Sequence, residues 1–377
     1  MTPVYLDCNA TTPLEPEVLE ETVRFFTEEY GNEGSRTHSF GARAKQSVQT
    51  ARDQVASLVS AKRDEVIFTS GATESNNLAL CGLKQYGLKE GKTHLVTTAI
   101  EHKAVLEPLQ SLEKEGFEVE YVSPNSSGQV EPEAIANALR PETLLVSAMQ
   151  VNNETGIRQP ITEIAELLKG HPAFFHTDAA QGFGKEIETL RSPRIDLISI
   201  SGHKIFAPKG IGALVMRRRG YKRPPLEPLM VGGGQERGLR PGTLPVGLIA
   251  ALGKASEIAV RDHDTRLARC REIRKEALTA FSELDCKFSG DQNQSMDHVL
   301  NLSFGGIDSE ALMVALKDLI AISNGSACTS SSYTPSHVLE AMGMTEEEAN
   351  CCVRLSWSHL TPDVNWMAVR DRIKKLM

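Results

Sequence analysis

The feature that most restricts the fold is an alternation of short apolar runs with longer helical segments between residues 65 and 200. The apolar runs include 94–98, 144–149 and 196–200, the last of which is β-branched in character. Between them, apolar residues recur in steps of three and four, which is the helical signature. Strands that alternate with helices indicate βαβ units. The pattern therefore predicts an α/β protein whose large, mainly parallel sheet is covered by helices on both faces.

The rest of the chain predicts a second, smaller domain. Residues 246–281 have helical spacing with a charged middle at 261–264, which predicts a hinge after the sheet domain. The predicted elements then follow another order: strand 299–304, helix 309–319, loop 323–332, helix 335–342, strand 352–356 and helix 361–375. We expect a large domain over 14–255 and a small α+β domain formed by 1–13 and 256–377.

Composition and charge exclude several classes of protein. A net charge of −8 argues against a dedicated nucleic-acid binder, which would carry a basic footprint. The chain has neither a signal peptide nor an apolar run near the ~20 residues of a membrane span. Its seven cysteines form no C-x-x-C pair and predict a reducing compartment and no metal site. We expect a cytoplasmic protein that contacts neither nucleic acid nor membrane.

One basic run, residues 217–223, departs from this acidic balance. The simplest interpretation is a solvated loop that follows a strand. A surface for an acidic partner protein is the alternative.

Three polar stretches follow predicted strands, at the points where the chain leaves the sheet. Residues 69–75 pass from a strand into a helix, whose first N–H groups suit a phosphate. Asp178 ends one strand and Lys204 follows the next through Ser201 and His203. Ligands of such sheets gather at the carboxyl ends of the strands. A phosphate cradle, a carboxylate and a lysine are what pyridoxal phosphate requires, whereas the G-x-G-x-x-G turn of dinucleotide-binding folds is absent from the first strand exit.

The same stretches resemble motifs of a known enzyme family. From Tyr5 to about Thr361 the sequence is similar to the NifS/IscS-like cysteine desulfurases of the class-V aminotransferase family. The shared motifs, in the family's order, are Ala10-Thr11-Thr12-Pro13, Thr69-Ser70-Gly71-Ala72-Thr73-Glu74-Ser75, Glu101-His102, Val151-Asn152-Asn153-Glu154, Ser201-Gly202-His203-Lys204 and Gly325-Ser326-Ala327-Cys328. The resemblance implies the aspartate aminotransferase-like fold type I. It also implies a pyridoxal 5'-phosphate enzyme that converts L-cysteine to L-alanine.

The resemblance assigns the catalytic roles to Lys204, His102 and Cys328. Lys204 would form the Schiff base, and His102 would stack on the cofactor ring and take the thiol proton. Cys328, on a small polar loop expected to be exposed, would receive the substrate sulfur as a persulfide. Asp178 would bond the pyridine nitrogen and Gln181 the phenolic oxygen.

The phosphate contacts implied by the resemblance are Ala72, Thr73, Ser201 and His203. Thr243 would reach the phosphate bound by the other subunit, which implies a homodimer with shared sites.

Asn153 and Arg354 would bind the substrate carboxylate, and Asn153 is counted among the cofactor contacts as well. A guanidinium suits this role because its planar fork matches a carboxylate. A sulfur-acceptor protein is the further partner that the resemblance implies.

The sequence departs from the family's pattern in four places. Glu33 follows Gly31-Asn32 where a proline is usual, Pro241 stands where serine is common, and Trp357-Ser358-His359 replaces a glycine-arginine pair. The chain also ends soon after its last predicted helix, without the tail by which housekeeping relatives grip an iron–sulfur scaffold. The expected acceptor pathway is therefore iron–sulfur assembly or the thiolation of tRNA, DNA or a cofactor.

Two other functions stay open from the residues. One is another pyridoxal-phosphate enzyme, an aminotransferase or selenocysteine lyase, against which the Cys328 loop argues. The other is a non-catalytic scaffold for sulfur transfer, against which Lys204, Asp178 and His102 argue together.

Overall fold

The computed structural model describes residues 2–325 and 336–377. Its strands are β1 (Val4–Tyr5), β2 (Val66–Thr69), β3 (His94–Thr98), β4 (Glu118–Val122), β5 (Thr143–Ser147), β6 (Phe174–Asp178), β7 (Leu197–Ser201), β8 (Gly212–Met216), β9 (Cys286–Phe288), β10 (Val299–Phe304), β11 (Ile320–Ala321) and β12 (Val353–Ser356). Its helices are α1 (Pro16–Thr27), α2 (Ser39–Leu58), α3 (Ala72–Cys81), α4 (Lys84–Glu90), α5 (Lys103–Glu113), α6 (Pro132–Asn137), α7 (Ile161–Leu167), α8 (Val246–Arg261), α9 (His263–Phe281), α10 (Ser309–Leu316), α11 (His337–Ala341), α12 (Glu346–Asn350) and α13 (Trp366–Lys374).

Seven strands form the large sheet, in the order β2-β8-β7-β6-β5-β3-β4. Strand β8 is antiparallel to β2 and β7, and the other neighbours pair in parallel. The predicted mainly parallel α/β sheet is thus confirmed. Most of its strands are buried along their whole length, as expected when helices cover both faces.

Alternate residues of one strand enter different apolar clusters on the two faces of this sheet. Phe68 packs into the cluster that includes α2 and α8, whereas its neighbour Ile67 packs with α3 and α5. This follows from the two-residue period of a strand, whose successive side chains point to opposite faces. None of the described helices is both long and apolar enough to cross a bilayer.

Two helical segments that the sequence presents as continuous are interrupted. The predicted helix over 73–86 ends at Cys81, and a new one begins at Lys84. Gly82 occupies the break, where a Cβ atom would lie 3.0 Å from the carbonyl oxygen of Glu227. The charged middle of 246–281 is likewise a break, at Asp262 between α8 and α9.

A second apolar cluster forms away from the large sheet. Strands β12, β10 and β9 make a three-stranded antiparallel sheet, and β1 pairs in parallel with β11. Leu6 from the N-terminus packs in the same cluster as Phe281 of α9 and Trp366 of α13. The ends of the chain therefore share one core.

The basic run 217–223 is not a solvated loop at its beginning. It does follow a strand, β8, but Arg217 is buried and donates to the carbonyl oxygens of Leu190, Ser192 and Ile195 as well as Val59. The expectation of solvated charges was wrong here because nearby carbonyl groups need a donor. Arg219 is likewise used internally, in an ion pair with buried Asp196.

Candidate active site

A cavity of about 610 Å³ opens at the carboxyl ends of the parallel strands. The predicted site residues that line it are Ala72, Thr73, His102, Asn153, Asp178, Gln181, Ser201, His203, Lys204 and Arg354. They come together because Asp178 and Ser201 end β6 and β7, and the others follow neighbouring strands or face them. Thr243 is exposed and is not part of this wall.

Asp178 is a buried carboxylate with neutral hydrogen-bond donors around it. It is 5% exposed and accepts from Asn76 Nδ2 at 2.7 Å and from the backbone N–H of Ala180 at 2.8 Å. Within 2–325 and 336–377 it forms no ion pair with a lysine or arginine, although a buried negative charge requires compensation. A cationic ring N–H in the cavity would supply that compensation.

The start of α3 forms a cradle of backbone N–H groups beside β7. Gly71, with φ of +155°, turns the chain from β2 into the helix, and the N–H groups of the first turn lack acceptors within the helix. Gly212 of β8 packs so closely that its Cβ would lie 2.6 Å from the Cα of Gly71. Glu74 accepts from the backbone N–H of Ser70 at 2.7 Å and from Arg240 at 3.0 Å. These bonds hold the anion-binding helix start in place.

Lys204 ends a single helical turn, Gly202–Lys204, that follows β7. Its amine donates to the carbonyl oxygens of Asn9 and Ala10, the latter at 2.8 Å. The hydroxyl of Thr12 donates to the carbonyl oxygen of His203 at 3.1 Å, so the N-terminal segment fixes the turn. Burial, and then the charges of Lys204 and Lys209, lower the pKa of His203 to about 4. His203 is therefore neutral beside a lysine amine.

His102 caps the N-terminus of α5 through its ring. Its Nδ1 accepts from the backbone N–H of Ala104 at 3.0 Å, and burial lowers the pKa of His102. A neutral imidazole whose Nδ1 accepts must carry its proton on Nε2. His102 can thus donate from Nε2, and it can take a thiol proton there only after releasing its own.

Arg354 is held in place by groups from three other parts of the chain. Its guanidinium donates to Asn153 O at 2.8 Å, Asp7 Oδ1 at 2.5 Å and Ser323 Oγ at 3.0 Å. It is 4% exposed, and its Nε is buried without a hydrogen-bond partner among the described residues. The guanidinium is therefore oriented in advance at the wall of the cavity, where its planar fork suits a carboxylate.

Cys328 lies outside the described residues. The two described residues that bracket its segment, Gly325 and Ser336, both meet the buried side chain of Glu154. Ser336 Oγ donates to Glu154 Oε2 at 2.5 Å, and Gly325 lines the cavity. Burial raises the pKa of Glu154, whose side chain lies against both ends of this segment.

Sequence reasoning missed three polar residues of the site: Asp7, Asn9 and Asn76. The backbone carbonyl oxygen of Asn9 accepts a hydrogen bond from Gln181 Nε2 at 3.0 Å. The side-chain oxygen of Asn9, Oδ1, is buried without a partner among the described residues. The second N–H of Gln181 Nε2 is available for another hydrogen bond. The Oε1 of Gln181 is buried without a partner among the described residues. Two features of the sequence could have indicated these residues. Asp7 and Asn9 belong to the polar turn after β1, and Asn76 lies about one helical turn after the phosphate cradle at the start of α3.

The arrangement fits pyridoxal phosphate. The cavity offers a carboxylate that lacks a cationic side-chain partner among the described residues, a helix start for phosphate and a lysine amine. It also contains unsatisfied buried atoms at Asn9, Gln181 and Arg354, and buried polar atoms are normally hydrogen-bonded.

Comparison with known proteins places these observations in a family. Residues 4–363 match the family described as Aminotransferase class-V. The chain is 44% identical over 376 residues to "Cysteine desulfurase IscS" of Salmonella arizonae, and equally so to that of Klebsiella pneumoniae; each match covers 99% of this chain and 92% of the relative.

Solved structures are similar over nearly the whole chain. DndA from Streptomyces lividans has a TM-score of 0.83 and 51% identity over 94% of this chain and 99% of its own. A NifS-like protein has a TM-score of 0.90 and 34% identity, and the match covers 100% of this chain and 99% of that one. The structure of SspA in complex with cysteine has a TM-score of 0.83 and 37% identity, and the match covers 95% of this chain and 100% of that one.

Proposed function

The chain belongs to the class-V aminotransferase family and is a pyridoxal-phosphate-dependent cysteine desulfurase, and from this premise we propose that Lys204 holds the cofactor and Cys328 receives the sulfur. The observation that carries the proposal is the single cavity that gathers Lys204, Asp178, His102 and Arg354 at one sheet edge. Bound pyridoxal phosphate supplies an electron sink that acidifies the Cα–H of the substrate and weakens its Cβ–S bond.

Lys204 and Asp178 are proposed to hold the reacting groups. The Lys204 amine would hold the cofactor and would take the Cα proton of the substrate. Its neighbour His203 is uncharged and does not compete as a cation. Asp178 keeps the proton on the pyridine nitrogen because its own hydrogen bonds come from neutral donors only. The N–H groups at the start of α3, with Ser201 and His203, are proposed to bind the phosphate.

Arg354 and Asn153 are proposed to bind the carboxylate of the substrate. Arg354 lines the cavity, and its Nη1 makes one hydrogen bond among the described residues, to Asn153 O, so that a second N–H of this atom can serve the carboxylate. Asp7 and Ser323 hold the guanidinium plane, so little conformational freedom is lost when the carboxylate binds.

Sulfur transfer is proposed to occur at Cys328. Its thiolate forms an S–S bond with the substrate sulfur as the Cβ–S bond breaks, and the electron pair of that bond stays on the substrate. After protonation the substrate leaves as alanine, and a persulfide remains on Cys328. His102 is proposed to give its Nε2 proton to the substrate carbon and to take the proton of the thiol in its place, so that the imidazole is neutral before and after the exchange and its Nδ1 hydrogen bond is kept.

We further propose a cytoplasmic homodimer that passes sulfur to an acceptor protein. Thr243, which would reach the phosphate bound by the partner subunit, is exposed. Three consecutive apolar side chains, Leu229, Met230 and Val231, are also exposed, and Val231 exposes 92% of its surface. A contiguous exposed apolar stretch is typical of an interface. The division into residues 14–255 and residues 1–13 with 256–377 is supported by the separate apolar cluster that includes Leu6 and Trp366.

A substitution at Cys328 tests the proposal. Cys328→Ser should retain bound cofactor and lose sulfur removal, since a hydroxyl is a far poorer nucleophile toward sulfur than a thiolate. Mass spectrometry of wild-type protein treated with cysteine should show one added sulfur on the peptide that carries Cys328. Cys351→Ser is the matched control and should turn over normally. Normal turnover of Cys328→Ser, or added sulfur on another cysteine, would contradict the assignment.

A further inference from the structure

Phe206, two residues after Lys204, has a backbone conformation that bulky residues rarely adopt. Its φ is +68°, in the left-handed region, and its side chain is buried. Backbone strain of this kind persists only where neighbouring groups hold the residue in place. The contacts of Phe206 therefore bear on the turn that carries Lys204.

The segment before α1 holds the backbone on both sides of Lys204. The N–H of Phe206 donates to Thr12 Oγ1 at 3.0 Å, and its carbonyl oxygen accepts from the N–H of Glu15 at 3.1 Å. On the other side of the lysine, the carbonyl oxygen of His203 accepts from the N–H of Thr12 at 3.1 Å. These bonds fix the backbone and leave the ring of Phe206 to other neighbours.

Two side chains from a distant part of the chain cover that ring. The ring of His359 meets the ring of Phe206 edge to face, with 4.7 Å between the centroids and 72° between the planes. The guanidinium of Arg266 lies 5.2 Å from the centroid of the Phe206 ring, within the range of a cation–π contact. His359 follows β12 and Arg266 lies on α9, and both of these elements contribute to the second apolar cluster.

Glu15 joins the same two side chains to the segment before α1. Its Oε2 accepts from Arg266 Nη2 at 2.5 Å and from His359 Nε2 at 2.9 Å. A carboxylate paired with an arginine can only accept, so His359 carries a proton on Nε2. The three side chains are between 13% and 15% exposed, so solvent screens these contacts less than it screens a surface pair. The carboxylate therefore fixes the orientation of the imidazole that packs on Phe206.

We propose that His359 is a positioning residue for Lys204. Glu15 orients the imidazole, and the imidazole ring holds Phe206 in its left-handed conformation at the end of the lysine turn. This role rests on the proposed function, in which Lys204 holds the cofactor. His359 belongs to the stretch at which the sequence departs from the family's pattern, and the reaction proposed above does not use it.

The role matters most when Lys204 holds the cofactor. In the structure its amine donates to the carbonyl oxygens of Asn9 and Ala10. An amine bound to the cofactor cannot keep both of these hydrogen bonds. The backbone turn then determines how the side chain approaches the cofactor.

Three variants of the holoenzyme test this role. His359→Gln keeps an N–H for Glu15 and loses the ring, so kcat for alanine release should fall about tenfold, as expected for a slightly misplaced reacting group. KM for cysteine should change by less than about twofold, because the proposed carboxylate contact at Arg354 is unchanged. His359→Phe keeps a ring against Phe206 and should retain most of the turnover. His263→Ala, which removes a ring bonded to the carbonyl oxygen of Lys185, is the control and should leave kcat unchanged.

The visible circular dichroism of the bound cofactor separates positioning from stability. Pyridoxal phosphate is achiral, so this signal depends on how the protein orients it. His359→Gln should weaken the signal at unchanged visible absorbance, well below Tm. A residue that only stabilised the fold would lower Tm and leave the signal of the folded enzyme as it is.

A double-mutant cycle tests whether the effect passes through Phe206. Phe206→Gly removes the ring, and glycine adopts a left-handed φ without strain. In that background His359→Gln should change kcat by less than about twofold. An equal tenfold loss there, an equal loss in His359→Phe, or wild-type kcat and circular dichroism in His359→Gln would overturn this role alone. A Lys204→Ala protein that keeps the visible band would overturn the proposed function, and this role with it.

Discussion

Asp178→Asn separates the chemistry of the site from its architecture. The carboxylate accepts two hydrogen bonds, from Asn76 Nδ2 and from the N–H of Ala180. An amide at position 178 keeps its oxygen for Ala180 and turns its NH₂ toward Asn76. The Oδ1 of Asn76 has no partner among the described residues and can accept that bond after the amide flips. The free energy of unfolding should therefore fall by no more than about 1 kcal/mol.

The effect on turnover should be much larger. Asp178 is 5% exposed, so solvent cannot replace the lost charge opposite the ring nitrogen. The removal of one preorganised electrostatic contact from an enclosed active site costs about 3 kcal/mol, which is roughly a 10²-fold to 10³-fold loss in kcat. The cofactor should still bind, because the phosphate cradle at α3 and the Lys204 amine are unchanged.

Three measurements check this prediction: the visible absorbance of the bound cofactor, the rate of alanine release and Tm. Asp371→Asn, an equivalent change at an exposed aspartate, should alter none of them. Combining Asp178→Asn with Asn76→Ala should lower Tm clearly, because the flipped amide is then missing. Undiminished alanine release by Asp178→Asn, or complete loss of cofactor, would refute the reasoning.

Other substitutions test the lysine, a buried arginine and a buried carboxyl. Lys204→Ala should lack the visible band of the bound cofactor and release no alanine from cysteine; retention of both would place the cofactor elsewhere. Arg217→Met leaves four carbonyl groups without their donor and should lower the free energy of unfolding by about 4 kcal/mol in urea titrations, whereas a loss under 1 kcal/mol would contradict the buried network. Burial raises the pKa of Glu101 from 4.5 to about 8, so the stability that its proton contributes is complete below pH 4.5 and is lost as pH rises through 8. Glu101→Gln should therefore lessen the fall in unfolding free energy between about pH 4.5 and about pH 8, and an unchanged slope would show that Glu101 is ionised at neutral pH.

Much of the large sheet could be predicted from local patterns. The bounds of β3 and β10 agree with the predicted strands at both ends, because each is bounded by polar turns. The short elements β9 and β11 escaped prediction. Two or three residues carry no periodicity, and these strands form only because distant partners supply their hydrogen bonds.

The break at Gly82 shows the same limit in a helix. Apolar spacing continues through that position, although glycine is a poor helix former. A Cβ atom at position 82 would lie 2.3 Å from the carbonyl oxygen of Leu78, in the preceding turn, and 3.0 Å from that of Glu227, far along the chain. A local and a distant contact therefore meet at the break, and only the local one could be inferred from the sequence.

The sequence by itself determined the α/β class and the strand exits at which Asp178 and Lys204 meet, because strand period and strand direction are local properties. The tertiary structure alone decided which partners those groups have. Arg354 is oriented by Asp7 across 347 positions of sequence, and Lys204 by Asn9 across 195. It also decided that the pKa of buried Glu101 is raised to about 8, because desolvation sums over neighbours that no local pattern records.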